Sequence, residues 1–379
     1  MKKIIFRKIG SDSIKFFLLS VLSVGIIIWV LQAVGYLDFV IEDGHGFLVY
    51  VKYTLLSFPK IISRLFPFMV FFSIAYILLQ YENRNELIIF WNFGIKKIYF
   101  VNFFIKFSII MVVIHLILNT FLVPYSQDKA RSFIRSSDLD FFESILKPKR
   151  FIDIVKNLTI YFDEKTIDNK LKNIFLKDES KNDGFKVTIA KMGKFVSRGG
   201  KKILILYDGK TLNNRNGTLS EFAFTQTDFN IAKFSSKTIS VVKTQENSTY
   251  ELIKCIYALK EIKRIKENYD KIFIFSNCRI QNIKNIYKEL YKRLIIPFYN
   301  ISLIMIATLL ILKSKNDKSY NIEKFKIFTL GFLLIIFLEM SLNLITSSLK
   351  ENIFIFFLPF IFSLIGYLYY IKKLHIKKS

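Results

Sequence analysis

Residues that carry chemistry are scarce in this chain. It has two cysteines and three histidines in 379 residues. Cys255 and Cys278 lack the C-x-x-C spacing of zinc and thioredoxin-like sites. His45, His115 and His375 are far apart and sit in different contexts, and no H-E-x-x-H or G-x-S-x-G motif occurs. No metal or catalytic set is therefore read from the sequence. No G-x-x-x-x-G-K-[ST] loop occurs, so the chain has no Walker A cradle for nucleotide phosphates. No cofactor is expected, and uphill work would draw on a partner that binds ATP or on an ion gradient. Acidic residues are also few, 30 against 56 Lys and Arg, for a net charge of +26. That excess does not indicate nucleic acid. The basic residues are spread over separate loops with no DNA-binding motif among them, and anionic lipid head groups account better for the short clusters.

What the chain has in quantity is long apolar runs. A transmembrane helix needs about 20 mostly apolar residues. Six stretches qualify: 14–37, 54–80, 98–124, 294–312, 325–347 and 353–371. Three lie before and three after a more polar stretch, 126–290. The mean hydropathy of +0.34 agrees. The first run is too long for a signal h-region and no A-x-A-like site follows it. Lys2, Lys3, Arg7, Lys8 and Lys15, the loop lysines 313, 315 and 318, and Lys372, Lys373, Lys377 and Lys378 mark one face of the bilayer. The loop after the first run carries Asp38, Glu42 and Asp43 instead. By the positive-inside rule both termini are cytoplasmic and 126–290 lies outside. The expected domains are 1–125 with three helices, 126–290 as an exported domain, and 291–379 with three more helices.

Within the exported stretch, short alternating runs predict strands at 158–162, 171–177, 185–192, 202–207 and 222–229. Turn signals separate them at Lys181 to Gly184, Arg198-Gly199-Gly200, Asp208-Gly209 and Asn213 to Gly217. Asp208-Gly209 reads as a hairpin, and the whole as a β-sandwich or jelly roll. Residues 248–268 read as an amphipathic helix with Leu252, Ile256, Leu259 and Ile262 on one side. In an oxidising compartment Cys255 and Cys278 could pair; two unpaired thiols are the alternative.

Polar residues inside membrane spans are functional candidates by default. Lys60 and Arg64 share a helical face and would meet an anionic head group or snorkel to the interface. Glu339 and Asn343 share another face and would pair helices or line a cavity. Asn102 and Lys106 read as snorkelling, and His115 as a helix–helix hydrogen bond. The loop 81–97 predicts a short helix over 83–94, ended by Gly94, with Glu86 in its first turn, where the dipole favours an acid. Leu87, Phe90 and Trp91 form its apolar face. That face would dock into a groove on a soluble protein or lie flat on the bilayer.

The run Glu86-Leu87-Ile88-Ile89-Phe90-Trp91-Asn92-Phe93-Gly94-Ile95, after a helix with Pro59 and Pro67, resembles the lipopolysaccharide-export permeases LptF and LptG. Glu289-Leu290-Tyr291-Lys292-Arg293-Leu294-Ile295-Ile296-Pro297, Val123-Pro124 and Leu158-Thr159-Ile160-Tyr161-Phe162 match further family patterns in order. The resemblance covers essentially the whole chain. It implies a helical polytopic inner-membrane protein, six helices in a 3 + 3 arrangement around a periplasmic β-jellyroll-like domain. It implies one permease subunit of an ABC transporter, not itself an enzyme, that passes lipopolysaccharide toward a periplasmic bridge. The implied partners are an LptB-like ATPase dimer, a second permease and a single-pass LptC-like protein. On that resemblance Glu86, Leu87, Phe90, Trp91 and Gly94 belong to the coupling helix that seats on the ATPase, while Lys60, Arg64 and Glu339 are substrate-contact candidates. Residues 43–59 resemble the LptF side more than the LptG side, with LptG-like as the second subunit. The competing reading is an ATP-independent scaffold whose β domain binds a periplasmic partner.

Overall fold

The structure is a computed structural model. It describes residues 2–37, 47–145, 148–155, 158–166, 170–179, 184–198, 201–215, 218–230, 242–265 and 277–375. His45, Lys377, Lys378 and the turn signals at 181–183, 199–200 and 216–217 lie outside the described residues. The chain divides into two compact units. One is Met1–Gln32, Leu55–Lys129 and Val242–Ser379; the other is Ala33–Thr54 and Ala130–Val241.

The helices run α1 (Lys2–Gly35), α2 (Phe47–Asn83), α3 (Glu86–Asn92), α4 (Lys97–Ile117) and α5 (Val123–Ile145) before the strands. After them come α6 (Thr249–Ile265), α7 (Ile283–Leu294), α8 (Tyr299–Thr308), α9 (Tyr320–Leu344) and α10 (Leu349–His375). A single π turn, Leu118–Leu122, joins α4 to α5. Among the described residues six helical runs are long and apolar enough to cross a membrane. The protein is therefore a multi-pass membrane protein, as the six apolar runs predict.

The helical unit has an inside and a lipid-facing outside. The second and fourth spans are 67% buried over their most apolar windows, whereas the sixth is only 11% buried. Leu19, Ile27 and Leu31 on α1, and Phe354 and Leu364 on α10, are exposed. In water that would be an aggregating surface; in hydrocarbon it is the solvated one. Helices in lipid gain little from hydrophobic burial, so close packing and interhelical hydrogen bonds must hold them. Both are present. Phe71, Phe100 and Phe104 are fully buried in the core that joins the spans. Gly331 of α9 lies against the Phe71 ring of α2, where a Cβ would collide with it. Tyr291 bonds Tyr299 at 3.1 Å and Ser341 at 3.0 Å, and Thr308 bonds Tyr370 at 2.8 Å.

The inserted β domain is one antiparallel sheet of seven described strands: β1 (Ile152–Val155), β2 (Leu158–Tyr161), β3 (Glu164–Lys165), β4 (Lys170–Asp178), β5 (Gly184–Arg198), β6 (Lys201–Arg215) and β7 (Thr218–Asn230). The order is β1-β2-β4-β5-β6-β7, with β3 beside β4. Leu158, Ile160, Leu171, Ile174, Leu176, Leu204 and Leu206 build its core.

Asp208-Gly209 is not the predicted hairpin. It lies inside β6, which pairs with both neighbours on either side of it. Asp208 has φ 49° and Asn173 has φ 51°. The ladder skips Asn173 and Lys191 between β4 and β5, Lys191 and Asp208 between β5 and β6, and Asp208 and Thr225 between β6 and β7. One row of interruptions therefore crosses four strands, and the inward side chains change parity across it. Left-handed residues in mid-strand are a device for bending a sheet. Gly209 is required at that row because a Cβ would strike the Ile189 carbonyl and the Phe224 ring. A turn-type dipeptide is legible in sequence; whether it turns the chain or bends a strand depends on the partners across the ladder.

Candidate coupling and intramembrane sites

The short helix α3 spans Glu86–Asn92, shorter than the 83–94 the sequence predicts. Asn83 still belongs to α2, and Asn85 makes the corner with φ 60°. Asn is among the non-glycine residues that most readily adopt that left-handed geometry, and here its side chain makes no capping bond to α3. Gly94 ends the element at φ 70°. Glu86 lies in the first turn, 3.6 Å from Lys8 Nζ and 3.9 Å from Arg84 Nη1.

The apolar face read from the sequence points inward. Leu87 is 1% exposed and Phe90 8%, both within the chain's own core, and Trp91 packs edge-on against Phe100 at 5.7 Å. These three side chains hold α3 in place. The outward apolar residues are Ile89 and Phe93, one turn apart and both exposed. Sequence periodicity marks both faces of a seven-residue helix and cannot tell which the bundle covers.

Three further residues brace α3, and the sequence reading did not select them. The buried carboxylate of Glu82, at the end of α2, accepts the Lys315 backbone N–H at 2.6 Å. Lys315 Nζ donates to the Asn83 carbonyl at 3.2 Å. Past the other end of α3, Lys97 Nζ donates to the Ile311 and Leu312 carbonyls at 2.7 and 3.0 Å and lies 5.5 Å from the Trp91 ring centre. A cation there satisfies carbonyls left open where the fourth span ends. Both ends of α3 are thus tied to the segment 311–315. The available signal was two charges flanking a short apolar run, but their partners lie more than 200 positions away in sequence.

Inside the membrane region, Arg64 Nε sits 3.5 Å from Glu339 Oε1, so two of the three substrate-contact candidates pair across α2 and α9. Lys60 Nζ donates to Gln245 Oε1 at 3.3 Å. His115 takes the bonding role the sequence predicts. Its Nδ1 accepts from Asn300 Nδ2 at 3.1 Å, which leaves Nε2–H to donate to the Ser63 carbonyl at 3.2 Å. Ser63 also bonds Asn119 within the π turn.

Arg293 is 1% exposed, and each of its three nitrogens is hydrogen-bonded. Nε pairs with Glu289 at 2.9 Å, Nη1 donates to the Asn247 carbonyl at 2.9 Å and to Thr249 Oγ1 at 3.1 Å, and Nη2 donates to the Gln245 carbonyl at 3.0 Å. It grips the turn at 245–247 that feeds α6. A Ser248–Glu251 capping box then starts α6, with bonds of 2.9 and 3.2 Å. Cys255 of α6 is bridged to Cys278, which closes the open alternative in favour of a disulfide.

In the β unit a cavity of about 880 Å³ lies along the bend row, lined by Ile174, Phe175, Ile189 and Phe224 with Asp163 and Lys191. Hydrogen bonds from Asn173 and Tyr161 hold the Asp163 carboxyl below its ordinary range.

Six membrane-spanning helices with a β domain inserted after the third define a polytopic membrane protein whose two helical halves flank one folded insertion. Among the described residues no cluster of His, Cys, Asp and Glu could hold a metal. The sequence profile of the lipopolysaccharide export system permease LptF/LptG matches residues 7–373. The chain belongs to that family of export permeases, and hence to a lipopolysaccharide export system. It is also 23% identical over 297 residues to the uncharacterized protein RP871 of Rickettsia prowazekii (strain Madrid E), covering 78% of each chain.

Proposed function

We propose that this chain is one permease subunit of an ABC exporter, with ATP bound and hydrolysed by a partner ATPase dimer. The observation that carries this reading is the family match, which runs through both helical halves and the inserted domain. A second permease of the same family completes the transmembrane part, and the loop at 43–59 favours the LptF role for this chain. Both termini face the cytoplasm, and 126–290 lies in the periplasm of a bacterial cell with two membranes. The Cys255–Cys278 bridge supports that side, because disulfides persist in oxidising compartments.

In this reading α3 is the coupling helix. Ile89, Phe93 and Glu86 meet the ATPase, while Leu87, Phe90, Trp91 and Gly94 set the helix at its angle. ATP binding closes the partner dimer and displaces α3, and the ties through Glu82 and Lys97 pass that displacement to the fourth span. Lipopolysaccharide leaves the membrane for the β domain, and from there a single-pass partner and the periplasmic bridge receive it. Lys60, Arg64 and Glu339 are candidates to meet its phosphates, with the Arg64–Glu339 pair opening as the lipid enters. Net movement requires that the closed state bind lipid differently from the open state.

The test is co-purification in mild detergent of tagged wild type beside Glu86→Arg and Phe93→Asp, with mass spectrometry of the eluate. Recovery of an ABC ATPase and a second permease with wild type, and loss of the ATPase with either variant, is expected. A chain that purifies alone would sink the exporter reading and favour the scaffold.

A further inference from the structure

Asn102 and Lys106 lie one turn apart on α4, inside the third span. Lys106 is nine residues past the start of α4, roughly 13 Å along the axis at the α-helical rise. Neither side chain has a hydrogen-bond or ion-pair partner among the described residues, and neither has Tyr367 of α10. This contrasts with Lys60, Arg64, His115 and Arg293, each of which meets a protein partner.

All three unpaired groups line one cavity of about 910 Å³ between the ends of α1, α4 and α10 and the side of α8. Its walls are otherwise mostly apolar, with Phe103, Met305 and Leu364 among them, and none of the described residues that line it is acidic. Its size is at the upper end of ligand pockets, about 300–1,000 Å³. The N-terminus of α1, the start of α4 and the end of α10 meet here, and Lys3, Arg7, Lys96, Lys372 and Lys373 belong to those same helix ends.

An apolar groove open to the bilayer will be filled by hydrocarbon. A lysine, an amide and a phenol among those lining residues offer donors to an anion with acceptor oxygens, and a snorkelling Lys106 would carry its charge to the head-group level. We propose that this groove is a binding site for one anionic glycerophospholipid of the leaflet nearest the termini. Its phosphate is held by Lys106, Asn102 and Tyr367, and its acyl chains lie along Phe103, Met305 and Leu364. The flanking lysines and arginines raise the local concentration of anionic lipid, an attraction that falls off within a Debye length of the surface. The inference needs only that the chain sits in a bilayer and is independent of the ATP-driven export reading.

The test uses the full chain in nanodiscs of mixed phosphatidylglycerol and phosphatidylcholine, followed by native mass spectrometry of retained lipid. One phosphatidylglycerol per chain is expected in excess of the bulk ratio. Lys106→Gln lowers its retention about tenfold, Lys106→Arg keeps it, and Lys318→Gln in the loop before α9 changes nothing. A photocrosslinker at Leu364 of the otherwise native chain reads the occupant without a charge change and is expected to capture lipid. Retention of the two lipids in bulk ratio, wild-type retention by Lys106→Gln, or capture of a polypeptide at Leu364 would each overturn the site.

Discussion

Two arginines in the membrane-spanning helices show two uses of the same charge. Arg293 is buried and spends its donors on Glu289, two backbone carbonyls and Thr249. The Arg64 side chain is 72% exposed and has one acidic neighbour, Glu339, itself 45% exposed. A buried guanidinium bonded through all three nitrogens rigidifies its surroundings, because removing either partner leaves an uncompensated charge or open carbonyls. A pair held by one contact leaves its remaining hydrogen-bonding groups open to a charged ligand. The first arrangement suits a fixed joint, where the chain returns from the β domain into the fourth span. The second suits a gate or a contact that must open.

The sharpest way to break the comparison is at the joint. Arg293→Met should destabilise the protein by about 3–5 kcal/mol, the cost of orphaning a buried ionic partner. Thermal unfolding in detergent should fall clearly below wild type, and a midpoint unchanged would show that the grip on 245–249 is dispensable. The bridge reinforces the same joint. Cys255→Ser should remove about 3 kcal/mol, the loop-closure value for a bridge of this span, and reductant should lower the wild-type unfolding midpoint but not that of the variant. The approach of α9 to α2 is the next test. Gly331→Leu forces bulk against Phe71 and should cost about 1–3 kcal/mol by overpacking; a simultaneous Phe71→Ala should recover part of that, measured as a double-mutant cycle. The smallest stability effect belongs to the exposed pair. Arg64→Ala or Glu339→Ala should lower the unfolding midpoint less than Arg293→Met does, because one contact is lost in place of four, while altering lipid export in cells. A large stability loss there would make the pair a second structural joint.

How much was legible beforehand differs between elements. Six spans and the β insertion follow from run length and alternation, since a bilayer and a pleated sheet impose those periods on any sequence. The His115 role was legible too, because a lone imidazole in an apolar helix must find a partner. The inward seating of Leu87, Phe90 and Trp91 was not, nor the bend at Asp208-Gly209. Each depends on what lies opposite, and the segments opposite are distant in sequence. Lys97 and Glu82 were overlooked for the same reason, as their partners come from 311–315.

By itself, then, the sequence determined the number of membrane crossings, the place of the β insertion and the family resemblance, all of which are written in local pattern. Only the tertiary structure decided that Cys255 meets Cys278, that Arg64 meets Glu339, that Arg293 is buried with all three nitrogens bonded, and that Lys106 lines a cavity with no partner among the described residues. The reason is physical. Hydropathy and period are properties of one segment, whereas the satisfaction of a charge or a thiol is a property of two.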